Sequence, residues 1–165
     1  MRQNASTNLL YPPFTLLMLR GFAEAEAQGI HAYPFECWRS MERQAYLFAQ
    51  GRSTLGKIVT WVQPGLSLHQ YGVAFDAVFK ANEGDVLVPS WEHDYADAHG
   101  DEYARLAPIM KAQGLEWLGD KNVERAHFQK SYGLTVAEMQ SITKARGILG
   151  LWEVFDSKGG AKCVV

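Results

Sequence analysis

An α+β fold, with a small mixed or antiparallel sheet flanked by helices, is predicted from three observations on this 165-residue sequence. Apolar residues recur at helical spacing in four separated stretches. Strand-like alternation is confined to short runs. The helical stretches are segregated from those runs, as in α+β domains. The length suits one domain, with a core expected over about residues 14–150 and a flexible tail over 156–165.

The first helix follows Pro12 and Pro13, with Phe14, Leu17, Met18 and Phe22 on one stripe and Gly29 as its stop. A second fits Ser40 to Gln50, with Ser40 as N-cap and Met41, Ala45, Leu47 and Phe48 facing inward. Ile58 to Val62 is a short β-branched run closed by the turn Gln63-Pro64-Gly65. Val73 to Phe79 alternates as a strand: Val73, Phe75, Ala77 and Phe79 share one face, Ala74, Asp76 and Val78 the other. Residues 81–98 are polar and acidic, a surface excursion. Asp101 to Gln113 is a helix with Tyr103, Leu106, Ala107 and Met110 as its stripe and Gly114 as its stop. A strand over Ala126 to Gln129 and a helix over Val136 to Leu149 complete the order.

Composition narrows the class of function. The chain is 47% hydrophobic with a net charge of −2 and no basic run, so a nucleic-acid footprint is absent. The longest apolar run near the N-terminus, FTLLML, is too short to span a membrane, and no signal-peptide cleavage pattern follows it. Synthesis in the cytoplasm without a signal peptide is therefore expected. Cys37 and Cys163 are too few for a disulfide framework.

The chemistry centres on SLHQYGVAFD, where Asp76 lies in an apolar run that would make an unpaired carboxylate costly. His69 precedes it by seven residues, and Glu124-Arg125-Ala126-His127 follows far downstream. Two imidazoles and a carboxylate form a three-ligand zinc site that leaves a fourth position open. Glu124 is placed to move a proton beside it, provided that the backbone turns at Arg125-Ala126. The plainer alternatives are a turn histidine at 69, Asp76 paired with Arg39 or Arg43, a satisfied core histidine at 127 and a solvated acid at 124. WEHDYADAHG, which carries His93 and His99, reads as a surface loop rather than a metal cluster. Trp61, Trp91 and Trp117 default to packing, and Cys37 to a small buried residue.

SLHQYGVAFD resembles the Ser-x-His-x-x-Gly-x-Ala-x-Asp signature of the VanY-like zinc peptidases. CWRSMERQAYLFAQGRS is similar to the Arg-Ser, Arg-Gln, Gly-Arg block of that family, and ERAHFQ to its acid-x-x-His-Phe ending. The resemblance covers about residues 35–130. It implies a hedgehog/D-Ala-D-Ala-peptidase-like zinc fold, with His69, Asp76 and His127 as zinc ligands and Glu124 as catalytic base. It makes Arg39 the stabiliser of the developing oxyanion, with Ser67, Gln44, Gln50 and Arg52 at or supporting the substrate pocket. Gly72 fits a tight backbone approach beside the metal.

The function this implies is hydrolysis of peptidoglycan stem peptides at the cell wall, as an endolysin-type L-alanyl-D-glutamate endopeptidase. A bacteriophage origin, a monomer and release by a holin go with that expectation. The alternatives are a D-alanyl-D-alanine carboxypeptidase and a non-catalytic wall-binding module. Two departures leave the scissile bond open between the enzymes. Trp117-Leu118-Gly119-Asp120 is a shortened form of the Trp-Gly-Gly-x-Trp stretch of endolysin members, and Glu124 stands where they more often have Asp.

Overall fold

The computed structural model describes residues 4–80, 87–88 and 101–160. Helix α1 (Pro12–Ala27) starts with prolines at its first positions, where a missing N–H costs nothing. Strand β1 (Ala32–Glu36) follows, then α2 (Met41–Ala49), whose Ser40 cap accepts from the Arg43 amide. A single 3₁₀ turn (Leu68–Tyr71) leads into β2 (Ala74–Lys80) and the short β3 (Leu87–Val88). Then come α3 (Glu102–Ala112), capped by Asp101, β4 (Glu116–Trp117) and β5 (His127–Gln129). The last helix, α4 (Val136–Ser157), begins with a Thr135–Glu138 capping box and kinks at Gly147.

The sheet is antiparallel in the order β1-β2-β5-β4, with β3 added to the far end of β2. This is an α+β architecture, as the sequence predicts. One face of the sheet is aromatic: Phe75 stacks on Phe128, Trp117 on Phe128, and Phe14 and Phe22 pack against Phe75. The stripe on α3 is buried as expected, including Tyr103, Leu106, Ala107 and Met110. Among the described residues no helix is long and apolar enough to cross a membrane.

Three expectations change, and one strand is new. In α2 only Gln44 is fully buried, while Met41 and Ala45 are exposed, because the helix turns a polar edge towards a buried ionic network. Ile58 to Val62 forms no strand; the run lies largely exposed and unpaired with the sheet. Strand β1 is an element the sequence reading did not assign, its pattern interrupted by Pro34. The core also runs past residue 150, since Leu151 and Phe155 of α4 are wholly buried. The excursion at 81–86 and 89–98, with Trp91 and His93, lies outside the described residues, as do His99 and Cys163.

Candidate metal centre

Sheet register builds the site. Residues directly opposite each other in an antiparallel pair project from the same face. Asp76 on β2 pairs with His127 on β5, so both side chains leave the face opposite the aromatic layer. On the other flank, the register of β1 slips between Pro34 and Glu36, so that Glu36 faces Asp76. That bulge carries Glu36 onto the face of Asp76, where regular alternation would have turned it away. Glu36, Asp76 and His127 therefore form a row across three strands.

His69 reaches the row from the 3₁₀ turn, which ends at Gly72 with φ +75°. A Cβ there would lie 2.9 Å from the Leu9 carbonyl oxygen. The tight approach expected at Gly72 is thus to the N-terminal segment, whose Tyr11 amide donates to the Gly72 carbonyl.

His69 Nε2, Asp76 Oδ1 and His127 Nδ1 lie 3.2 Å from one another in every pairing, all buried. The far side of each ring decides which nitrogen carries hydrogen. His69 Nδ1 faces the Cys37 carbonyl at 2.5 Å, which can only accept, so that nitrogen donates and Nε2 is left with its lone pair. His127 Nε2 faces Gln129 Oε1 at 3.0 Å, and the Gln129 amide nitrogen is taken up by Glu116. His127 therefore donates from Nε2 and turns a lone pair on Nδ1 inward. Three lone pairs converge with no hydrogen between them, an arrangement that repels itself unless a cation sits among them. Among the described residues His69, Asp76 and His127 are the group that could hold a metal ion.

The electrostatics agree. Burial works against protonation of His127, but the Asp76 carboxylate that would accept a proton placed on Nδ1, helped by the charge of Glu124, overrides it and raises its pKa. Burial lowers His69 and outweighs the pull of Asp76. Burial would raise Asp76, yet the two imidazoles hold its carboxyl well below the usual range. Asp76 and His127 favour positive charge between these atoms, and the burial of His69 keeps its ring neutral, as a ligand requires.

Behind Asp76 lies a network of which sequence reasoning offered only the pairing with Arg39 or Arg43 and missed Glu36. Arg39 donates to Asp76 Oδ2 at 3.0 Å, to Glu36 Oε2 at 2.7 Å and to Gln44 Oε1 at 3.0 Å, and Arg43 donates to Glu36 Oε1 at 2.9 Å. Glu36 is only 3% exposed. Its signal was present: a carboxylate in the apolar AYPFECW, three residues before Arg39. Asp76 thus meets both readings at once, one oxygen on the arginine and the other towards the imidazoles. Three of the four terminal N–H groups of Arg39 are taken up by these side chains, and its buried Nε–H has no partner among the described residues.

Glu124 sits in the irregular turn before β5, which supplies the bend its role requires. The Trp117 indole donates to the Arg125 carbonyl at 2.6 Å and shapes that turn. Though solvent reaches Glu124, its crowded surroundings and the charge of Asp76 push its carboxyl upward. Ser67 is buried at the start of the 3₁₀ turn. Gln44 is wholly buried and stands behind the site, accepting from Arg39 and donating to the Val62 carbonyl. Gln50 caps α2, and Arg52 stacks between Phe48 and the exposed Trp61. Their recorded contacts hold the loop after α2, and neither is brought to the His69–Asp76–His127 group.

Comparison with known proteins follows this geometry. The VanY family model, described as D-alanyl-D-alanine carboxypeptidase, matches residues 15–144. The peptidoglycan L-alanyl-D-glutamate endopeptidase CwlK of Bacillus subtilis (strain 168) is 34% identical over 100 residues, 59% of this chain. The match spans 58% of that relative's length, less than two thirds of it. The crystal structure of the L-Ala D-Glu endopeptidase ChiX from Serratia marcescens aligns with a TM-score of 0.52 at 22% identity, covering 76% of this chain and 84% of that one. That likeness shows a shared fold.

Proposed function

Because the chain belongs to the VanY family, we propose that it is a zinc-dependent peptidase that cuts peptidoglycan stem peptides between L-alanine and D-glutamate. The observation that carries the reading is the convergence of three buried lone pairs from His69, Asp76 and His127 at 3.2 Å spacing. A tetrahedral zinc with bonds of about 2.0 Å has ligand–ligand edges of roughly 3.3 Å, so the donor set fits that ion. The bond specificity draws support from the 34% identity to CwlK.

Zinc, when bound by these three residues, supplies Lewis acidity and lowers the pKa of water at its open position to about 7. Glu124 accepts the proton that water loses on attacking the scissile carbonyl and returns it to the departing amine. Its raised pKa suits a group that must both take and give. Arg39 holds Asp76 by Oδ2 so that Oδ1 faces the metal position, and its guanidinium charge stabilises the developing oxyanion. Ser67 borders the substrate backbone.

In the cell the enzyme acts on the wall as an endolysin released with the help of a holin, and it works as a single-domain monomer. The description of the family model favours a second reading, a D-alanyl-D-alanine carboxypeptidase using the same centre.

Glu124→Gln tests the catalytic assignment, since the amide keeps the shape but cannot take a proton. Zinc content should be unchanged and wall-peptide cleavage should fall by roughly two to four orders of magnitude. Loss of zinc would make Glu124 a ligand, and unchanged cleavage would assign the base elsewhere.

A further inference from the structure

We propose that Glu116, on the protein surface, positions the ligand His127 through Gln129 and thereby tunes how tightly the centre holds its metal. The inference rests on the zinc reading above, and it concerns residues that lie outside the ligand set.

The relay follows from register. Glu116 on β4 pairs directly with Gln129 on β5, and Gln129 lies two residues beyond His127, hence on the same face. Glu116 Oε1 accepts from the Ser131 amide at 2.8 Å and from the Ser131 hydroxyl at 2.7 Å. Its other oxygen accepts from Gln129 Nε2 at 3.1 Å. A carboxylate can only accept, so it forces the nitrogen of the Gln129 amide towards itself and the oxygen towards His127. Gln129 Oε1 then accepts the proton of His127 Nε2 at 3.0 Å, which leaves Nδ1 as the metal donor. An exposed side chain thus decides which way an inner amide points, and that amide decides which ring nitrogen can bind the ion.

The chemistry predicts an unusual order of effects. In Glu116→Gln the new amide has one oxygen and one NH₂ group. The rigid Ser131 N–H claims the oxygen, and the NH₂ is left facing Gln129. Gln129 must flip to accept from it, which turns its own NH₂ towards His127 Nε2 and opposes the metal-binding tautomer. Glu116→Ala removes the constraint and lets water serve Gln129 instead. The isosteric change should therefore do more harm than the truncation, whereas a purely structural role for Glu116 predicts the reverse.

The experiment measures the zinc dissociation constant of the full chain by competition with a chromophoric chelator. Thermal unfolding of each metal-free variant serves as the folding control. Gln129→Leu should weaken zinc binding by about 10- to 100-fold, the usual cost of losing a partner of a ligand. Glu116→Gln should weaken it by roughly tenfold, and Glu116→Ala by less. In the zinc-loaded wild type the proton on His127 Nε2 should exchange slowly with solvent by NMR, and faster in Gln129→Leu and Glu116→Gln. Wild-type zinc affinity in Glu116→Gln, or an equal or greater loss in Glu116→Ala, would overturn the relay while leaving the metal reading standing. Failure of the wild type to hold zinc would overturn both.

Discussion

Glu36 is a residue whose removal the structure makes expensive. Its two oxygens are divided, Oε2 to Arg39 at 2.7 Å and Oε1 to Arg43 at 2.9 Å, in a site where its side chain is 4% exposed. Glu36→Gln keeps the volume, but an amide oxygen can serve only one arginine, and its NH₂ then confronts the other guanidinium donor to donor. The buried balance of two carboxylates against two guanidiniums becomes one against two. Breaking a buried pair in this way costs about 3–5 kcal/mol. For a chain of this size, that lowers the melting temperature by roughly 10 °C. Thermal and denaturant unfolding of metal-free protein is the assay. Adding Arg43→Met to Glu36→Gln restores one guanidinium to one carboxylate and should recover part of the loss, a non-additivity that marks direct coupling. A Glu36→Gln variant melting within about 2 °C of wild type would refute the reasoning, since surface substitutions do as little.

Three further outcomes are expected. His69→Ala, Asp76→Ala and His127→Ala should each lose tightly held zinc after dialysis, read by elemental analysis, because three protein ligands are the least that hold the ion with a position open; near-stoichiometric zinc in all three would contradict the site. Arg39→Lys should cut turnover by about 100- to 1000-fold, and it should also weaken zinc, because an ammonium cannot hold Asp76, Glu36 and Gln44 together. Burial first, then the charges of Asp76 and Glu36, push the Cys37 thiol from 9.0 up to about 12. The folded chain therefore keeps a proton that the unfolded chain releases, so this contribution to stability is complete below about pH 9 and declines from there to pH 12. In a Cys163→Ser background, Cys37 should resist a disulfide reagent at pH 8 until the protein is unfolded; rapid reaction in the folded state would show an open site.

How much of this was legible in the sequence follows from the range of the forces involved. Helices α1 and α3 announce themselves because period and caps are local. The burial of α2 did not, since its inner face is Gln44 held by Arg39, a contact that depends on where Arg39 goes. Strands β1 and β4 escaped notice because one carries a proline and a bulge and the other has two residues. Helix α4 outlasts its predicted end at Leu149 because Leu151 and Phe155 carry its buried face on into the core. At the site, Asp76 betrayed itself as a charge in an apolar run, and the motif supplied its imidazole partners. Glu36, Gln129 and Glu116 stayed hidden because cross-strand register, which places them, is set by long-range pairing.

The central claim is that a zinc centre of His69, Asp76 and His127 cuts the stem peptide after L-alanine. Its most direct test is to incubate the zinc-loaded protein with a defined muropeptide and identify the new termini by mass spectrometry, with and without a chelator. The account predicts a new amino terminus on D-glutamate and a free carboxyl on L-alanine, lost on chelation and restored by zinc. Release of terminal D-alanine instead, or cleavage indifferent to zinc, would contradict it.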